Sequence, residues 1–129
     1  HDELQRLAHD FKKSINMVAI SANDVDHYPQ DGPEPMKALF NNLGLGFPYL
    51  YDQTQALAKA LKAECTPEFY LYDTNGVLVY RGRLDDASPG NVIKPTGKDL
   101  RGALNCLLSG KSITEHQYPS MGCSIKWRE

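Results

Sequence analysis

The sequence predicts an α/β domain built on a mixed β-sheet that is flanked by helices. Helical and strand-like patterns alternate along the 129 residues, and a helix that connects two strands implies that those strands are parallel. A hairpin signal, Asp73-Thr74-Asn75-Gly76, then joins two further strands in antiparallel fashion. Parallel and antiparallel pairs together are typical of a mixed α/β fold.

The first half of the chain predicts two helices and two strands. The opening segment has apolar residues at the spacing of one helix face: Leu4, Leu7, Ala8 and Phe11. Residues 15–20 form a short β-branched apolar run, which is typical of a strand covered on both faces. Helical spacing returns over residues 36–43 and ends at Gly44, and residues 47–51 predict a short extended piece.

The second half predicts a third helix, the hairpin and a last helix. Asp52 is expected to cap the third helix, with Gln55 at the capping-box position. Residues 69–72 and 77–81 are the two strands of the hairpin. Thr96 opens the last helix, whose apolar face runs to Gly110. From residue 111 the periodicity is lost, so residues 111–129 are expected to form a tail that packs on, or extends from, a domain of residues 1–110.

Composition and charge exclude several classes of protein. A net charge of −2 and a pI near 6.1 give no reason to expect a nucleic-acid or anionic-membrane partner, and the apolar runs are shorter than the roughly 20 residues that cross a bilayer. The three cysteines are far apart, and neither they nor the histidines have metal-ligand spacing. We therefore expect no metal, and a reducing compartment such as the cytoplasm or a redox role for one or two thiols. In such a role the electrons travel through thiols, so no bound cofactor is expected.

Five motifs carry a resemblance to a known family. They are Ser21-Ala22-Asn23-Asp24, Phe47-Pro48-Tyr49-Leu50-Tyr51-Asp52, Cys65-Thr66-Pro67-Glu68-Phe69, Tyr80-Arg81-Gly82-Arg83-Leu84-Asp85-Asp86 and Gly122-Cys123-Ser124-Ile125-Lys126-Trp127. With them the chain resembles a bacterial branch of the thioredoxin-like superfamily, the redoxins of the alkyl hydroperoxide reductase and thiol-specific antioxidant type. The resemblance implies a thioredoxin-like domain over residues 1–110. It also implies a first strand and an active-site cysteine upstream of His1, outside this chain.

The Cys65-Thr66-Pro67 turn is the centre of the expected chemistry. The resemblance implies a cis peptide bond at Thr66-Pro67, which turns the backbone of Thr66 towards substrate, so that an extended peptide can pair with it. Thr66, Pro67 and Phe69 are therefore candidate substrate-binding residues. Cys65 could resolve a disulfide or a sulfenic acid formed at the upstream cysteine, or it could be a small buried apolar residue; the sequence leaves both interpretations open.

Four other residues could carry chemistry. Cys106 lies within the apolar face of the last helix and is expected to be a core residue. Cys123 is a second candidate resolving cysteine, although the apolar residues that follow it could simply anchor the tail. Asp85 and Asp86 are paired carboxylates that could act in acid/base catalysis, but loop capping and ion pairing are the commoner roles of such residues.

Three functions are compatible with these observations. The first is a thiol-based oxidoreductase, acting in thiol–disulfide exchange or as a thiol peroxidase with antioxidant activity, whose partner is a thiol or disulfide protein or a peroxide. The second is a non-catalytic thioredoxin-fold module that binds a peptide or protein along the same edge. The third is a small scaffold protein in which the tail is the interacting element. The sequence predicts no particular oligomeric state.

Overall fold

A computed structural model describes residues 2–44, 46–85, 96–113, 117–119 and 123–128. The chain forms two compact units. The first consists of His1–Glu64 together with Ser124–Glu129, and the second is Cys65–Cys123. The first unit is therefore assembled from two segments that are distant in the sequence.

The first unit contains a parallel pair of strands connected through a helix. Its elements are α1 (Asp2–Phe11), β1 (Ala19–Ser21), a 3-10 turn (Pro29–Asp31), α2 (Pro33–Leu43), β2 (Tyr49–Tyr51) and α3 (Ala56–Ala60). β1 pairs with β2 in parallel, with Ile20 opposite Leu50. The parallel pairing expected from a strand–helix–strand order is thus confirmed.

The first strand lies further along the chain than the apolar run predicted. The expected strand covered residues 15–20, whereas β1 is Ala19–Ser21. The amide of Ile15 donates to the carbonyl of Phe11, so the chain at this point still continues the end of α1. Pairing starts at Ala19, whose amide donates to the carbonyl of Pro48 just before the three-residue β2. The partner strand therefore sets the length of β1.

The capping box predicted for α3 is wrong, because Gln55 has another role. Gln55 precedes the helix in a left-handed conformation, with φ of 63° and ψ of 15°, and makes no side-chain cap. Asp52 does serve the start of the helix, since its carboxylate accepts a hydrogen bond from the amide of Ala58 at 2.9 Å. The Gln55 side chain is buried and bonds to backbone groups elsewhere in the unit, so it cannot bond back to its own helix.

Two apolar clusters support this unit. α1 buries three residues of its apolar face, Leu7, Ala8 and Phe11. Ile125, from the end of the chain, packs with Ala22 and Ala58 in a second cluster. The tail therefore supplies part of the core of the first unit.

The second unit is built on the predicted hairpin and the last helix. Its elements are β3 (Cys65–Thr66), β4 (Phe69–Tyr72), β5 (Leu78–Gly82) and α4 (Lys98–Leu108), and β6 (Cys123–Ser124) begins at its last residue. β4 and β5 are antiparallel, with Leu71 opposite Tyr80. In the turn, the Asp73 carboxylate accepts hydrogen bonds from the amides of Asn75 and Val77, and Gly76 adopts φ of 77°. The hairpin is confirmed.

Parallel and antiparallel pairs both occur, as the α/β prediction requires. Within the described residues the strands form three two-stranded pairs: β1 with β2, β3 with β6, and β4 with β5. α4 buries Leu100, Ala103 and Leu104. None of the helices in the described ranges has the length and apolar character needed to span a membrane.

Candidate functional site

The predicted turn connects two strands of the second unit. Cys65 is a half-buried free thiol on β3. Pro67 is exposed, and β4 begins two residues later at Phe69, which is half-buried and paired with Gly82. Thr66 is described by its backbone alone, on β3. The turn therefore presents an exposed proline two residues after a half-buried thiol.

The structure brings two of the cysteines onto neighbouring strands. Cys123 lies on β6, which pairs with β3, the strand that carries Cys65. The side chain of Cys123 lies outside the described atoms. Cys106 is separate from this pair, because it lies on α4, half-buried beside a cavity of about 390 Å³ that Tyr80 and Gln117 also line.

A buried carboxylate follows the turn. Glu68 comes directly after Pro67, and its side chain is only 9% exposed. It accepts hydrogen bonds from the Tyr70 hydroxyl and from Nε of Arg81, both at 3.0 Å. The Arg81 guanidinium also lies 5.4 Å from the centre of the Tyr70 ring. Burial is the main cause that raises the pKa of Tyr70 to about 12, and the hydrogen bond to Glu68 is the second cause. The Tyr70 hydroxyl is therefore protonated at neutral pH and can donate.

A second arginine–carboxylate pair lies directly after β5. Nε of Arg83 donates to the Asp99 carboxylate of α4 at 2.6 Å, and its guanidinium lies 4.2 Å from the centre of the Tyr118 ring. The Tyr80 hydroxyl donates to the carbonyl of Arg83. This pair attaches β5 to α4 and takes no part in the turn.

Asp85 caps a loop, which is the commoner role of such a carboxylate. Its carboxylate is buried and accepts hydrogen bonds from the amides of Thr96 and Gly97, at 2.9 and 2.7 Å. α4 consequently begins at Lys98, after Gly97, and not at Thr96. Loop capping is confirmed for Asp85. Asp86 lies outside the described residues.

In the first unit the end of the chain is held by Gln55. The Gln55 amide donates to the carbonyl of Ala22 at 2.6 Å and to that of Lys126 at 2.9 Å, and its oxygen accepts from the amide of Arg128 at 2.9 Å. The amide of Lys126 in turn donates to the side chain of Asn23. We call residues 124–128 the tail segment. It is fixed by hydrogen bonds to residues that follow β1, namely Asn23 and Asp24, and to Gln55, which follows β2.

Charged groups reinforce the tail segment. Arg128 Nη1 lies 3.1 Å from the Asp24 carboxylate and 2.8 Å from that of Asp26, and Nη2 donates to the Tyr51 hydroxyl at 3.0 Å. His27 Nδ1 lies 2.6 Å from Asp24, and this hydrogen bond is the main cause that lowers the pKa of Asp24 below 3.8. Asp24 is thus favoured as a carboxylate that faces the Arg128 guanidinium and the His27 ring.

Sequence reasoning missed Glu68, Arg81, Gln55 and Arg128 as functional or organising residues. Glu68 and Arg81 lie inside motifs that carried the resemblance, one directly after Pro67 and the other in the hairpin, and this position was the available signal. Gln55 and Arg128 gave no such signal, because their partners are far away in the sequence.

Parallel and antiparallel strand pairs flanked by helices place the chain in the thioredoxin-like α/β class. The sequence pattern of the AhpC/TSA family matches residues 1–81, which is more than half of the chain. The chain belongs to the AhpC/TSA family.

Solved structures confirm the fold. An uncharacterized conserved protein from Geobacillus kaustophilus is 53% identical, with a TM-score of 0.94 over 98% of this chain and 67% of that one. A hypothetical protein from Sinorhizobium meliloti is 45% identical, with a TM-score of 0.93 over 97% of this chain and 69% of that one. A comparison with curated proteins found no match. The thioredoxin-like α/β fold is therefore established, and a thiol peroxidase or redoxin-type activity is the functional theme of the family.

Proposed function

We propose that the protein is a thiol-based oxidoreductase that works at the Cys65-Thr66-Pro67 turn, either in thiol–disulfide exchange or as a thiol peroxidase. The observation that carries the proposal is the half-buried free thiol of Cys65, next to Thr66-Pro67 and on the strand that pairs with β6. Membership of the AhpC/TSA family supports the same chemistry.

In this proposal the attacking cysteine precedes His1, and Cys65 resolves the product. A peroxide oxidises the attacking thiol to a sulfenic acid; the Cys65 thiolate then attacks that sulfur, a disulfide forms and water leaves. A thiol protein or a small thiol reduces the disulfide and regenerates both thiols. Cys123, on the neighbouring strand, is the second candidate for the resolving role. The electrons pass between sulfur atoms, so no bound cofactor takes part.

Substrate recognition is assigned to the same turn. A cis peptide bond at Thr66-Pro67, with the Thr66 backbone facing outwards, would let an extended disulfide peptide add its main-chain hydrogen bonds there. Phe69, half-buried at the start of β4, would contact a side chain of that peptide. A reducing cytoplasm is the compartment in which such a dithiol is returned to its active form.

Thiol mapping tests the proposal. The protein is alkylated with a mass label before and after mild peroxide, and its disulfides are mapped by mass spectrometry. We expect peroxide to move Cys65 into a disulfide, and we expect Cys65→Ser to abolish this product while Cys106→Ser leaves it intact. If Cys65 is alkylated only after denaturation and never enters a disulfide, its resolving role is wrong. Partner binding without any disulfide would support the non-catalytic peptide-binding module instead.

A further inference from the structure

The residue after the proposed substrate turn is anchored from two directions. Glu68 is joined to Pro67 by a peptide bond, and its carboxylate receives one hydrogen bond from Tyr70 and one from Arg81. Hydrogen bonds to an ionised group are stronger than those between neutral groups. A side chain that is 9% exposed and held by two donors fixes the position of its own backbone.

The two donors are themselves held together. Tyr70 and Arg81 are direct partners across the β4–β5 pair, so their side chains lie on the same face of the hairpin. The guanidinium lies 5.4 Å from the Tyr70 ring centre, within the range of a cation–π contact. On the outer edge of β5, the Arg81 amide donates to the side chain of Gln117, which also donates to the carbonyl of Val79. The donor pair is therefore part of a rigid hairpin.

We propose that Arg81 and Tyr70, acting through Glu68, are positioning residues for the Thr66-Pro67 turn, an inference that rests on the proposed function. They hold the peptide unit after Pro67 to the hairpin, so that the Thr66 backbone is already in place when a disulfide substrate arrives. Such pre-organisation lowers the entropy lost on binding. Its loss weakens substrate binding more than it slows the chemical step.

The chain offers a matched control for this role. Arg83 lies two residues further along the chain, directly after β5, and also pairs with a carboxylate, that of Asp99, at 2.6 Å. Its partner belongs to α4 and not to the turn. Substituting Arg81 or Arg83 by Gln removes the same charge at positions two residues apart, but only the first substitution removes a donor to Glu68.

Disulfide exchange at Cys65 measures the effect. The probe is a short peptide whose cysteine is a mixed disulfide with thionitrobenzoate, and the protein carries Cys106→Ser and Cys123→Ser. Residues 1–129 do not include the attacking cysteine of the proposed function, so Cys65 serves here as the reporter thiol beside the turn. The Cys65 thiolate attacks the peptide sulfur, the Cys65–peptide disulfide forms, and thionitrobenzoate leaves as a thiolate. Mass spectrometry follows the Cys65–peptide adduct at increasing peptide concentration. This gives a half-saturating concentration and a maximal rate.

We expect Arg81→Gln to raise the half-saturating concentration about tenfold, which corresponds to the loss of one charge-assisted hydrogen bond. The maximal rate should stay within about twofold of that of the parent protein. Arg83→Gln should leave both unchanged. Arg81→Lys keeps a charged donor and should recover most of the loss. Tyr70→Phe removes one neutral donor without disturbing the strand register and should give about a threefold rise, which keeps the test decisive if Arg81→Gln fails to fold.

The experiment distinguishes failure of the proposed function from failure of the positioning role. If the parent reacts in proportion to peptide concentration without saturating, and no faster than with thionitrobenzoate disulfide lacking a peptide, the turn binds no substrate and the proposed function fails. If the parent saturates but Arg81→Gln and Tyr70→Phe match Arg83→Gln, the proposed function stands and the positioning role is overturned.

Discussion

Two of the strand pairs, β4 with β5 and β1 with β2, are stabilised in opposite ways. The hairpin of β4 and β5 is formed by neighbouring segments, and its turn is closed by Asp73 and Gly76 within a few residues. The parallel pair of β1 and β2 is instead completed by the tail segment, whose bonds to Gln55 and Asn23 span 71 and 103 residues. The first pair therefore depends on local sequence, and the second depends on a distant part of the chain.

Removing the apolar anchor of the tail segment should have the largest effect. Ile125 is 6% exposed and packs against alanines, which are too small to fill the space that its side chain would leave. We expect Ile125→Ala to lower the free energy of unfolding by about 3 kcal/mol. Urea unfolding measures this loss of free energy. The signal is the fluorescence of the single tryptophan, Trp127, which belongs to the tail segment. The matched truncation Val77→Ala, at an exposed hairpin position, should stay within about 0.5 kcal/mol.

Substituting Gln55 tests whether its hydrogen bonds or its bulk hold the tail segment. Gln55→Leu keeps most of the volume but leaves the Ala22 carbonyl without this donor and the Arg128 amide without this acceptor. We expect a loss of about 2 kcal/mol in the same urea experiment. Gln53→Leu, an exposed glutamine two residues away, is the control and should be nearly neutral. Equal effects of the two substitutions would contradict the role assigned to Gln55.

A pair of glycine substitutions tests the local character of the hairpin. Gly76 adopts φ of 77°, and a methyl group there would contact nothing within 4 Å, so Gly76→Ala costs only backbone strain, about 1 kcal/mol. Gly102 lies inside α4 and has equally open surroundings, so Gly102→Ala should stabilise the protein by up to about 1 kcal/mol. Thermal unfolding should therefore show shifts of opposite sign. An unfolding temperature that does not fall in Gly76→Ala would show that the turn does not require a glycine at its left-handed position.

Changes of pH should have the smallest effects on stability. The two regions should lose stability at opposite ends of the pH scale. The lowered pKa of Asp24 stabilises the folded first unit above pH 3.8, and this contribution is lost as the pH falls through the folded value. In the hairpin, burial is the main cause that raises the pKa values of Tyr70 and Tyr80 from 10.0 to about 12. That contribution is complete below pH 10 and is lost as the pH rises towards 12.

Unfolding curves at several pH values separate the two effects. His27→Ala should flatten the acid side only, because it removes the main partner of Asp24. Tyr80→Phe should flatten the alkaline side only. A change on the acid side in Tyr80→Phe would show that the two regions are not independent in this respect.

Local patterns in the sequence were sufficient for much of the fold. The Asp73–Gly76 turn, the apolar face ending at Phe11 and the glycine after α2 each act through neighbouring residues, so the hairpin and the helices were predicted close to their observed bounds. The motifs around Cys65 and Pro67 indicated the redox family through the resemblance that they carried, and the family is confirmed.

Features that depend on distant partners were not predicted. Gln55 has the spacing of a capping box, yet its side chain bonds to Ala22 and to the tail segment because burial there satisfies more backbone groups than the cap would. β1 is shorter than its apolar run because β2 limits the pairing. Glu68 looked like an ordinary polar residue, since only the folded hairpin brings Arg81 to it.

The discontinuous first unit has a consequence for biosynthesis. A ribosome makes α1, both parallel strands and Gln55 early, but it makes Ile125 and Arg128 only after the whole of the second unit. The hairpin and α4 consist of residues made before the tail segment, whereas the first unit stays unfinished, with the cluster around Ala22 open, until residues 124–128 have been made. The order of completion is thus the reverse of the order of synthesis, and the nascent chain exposes its parallel strands for longest.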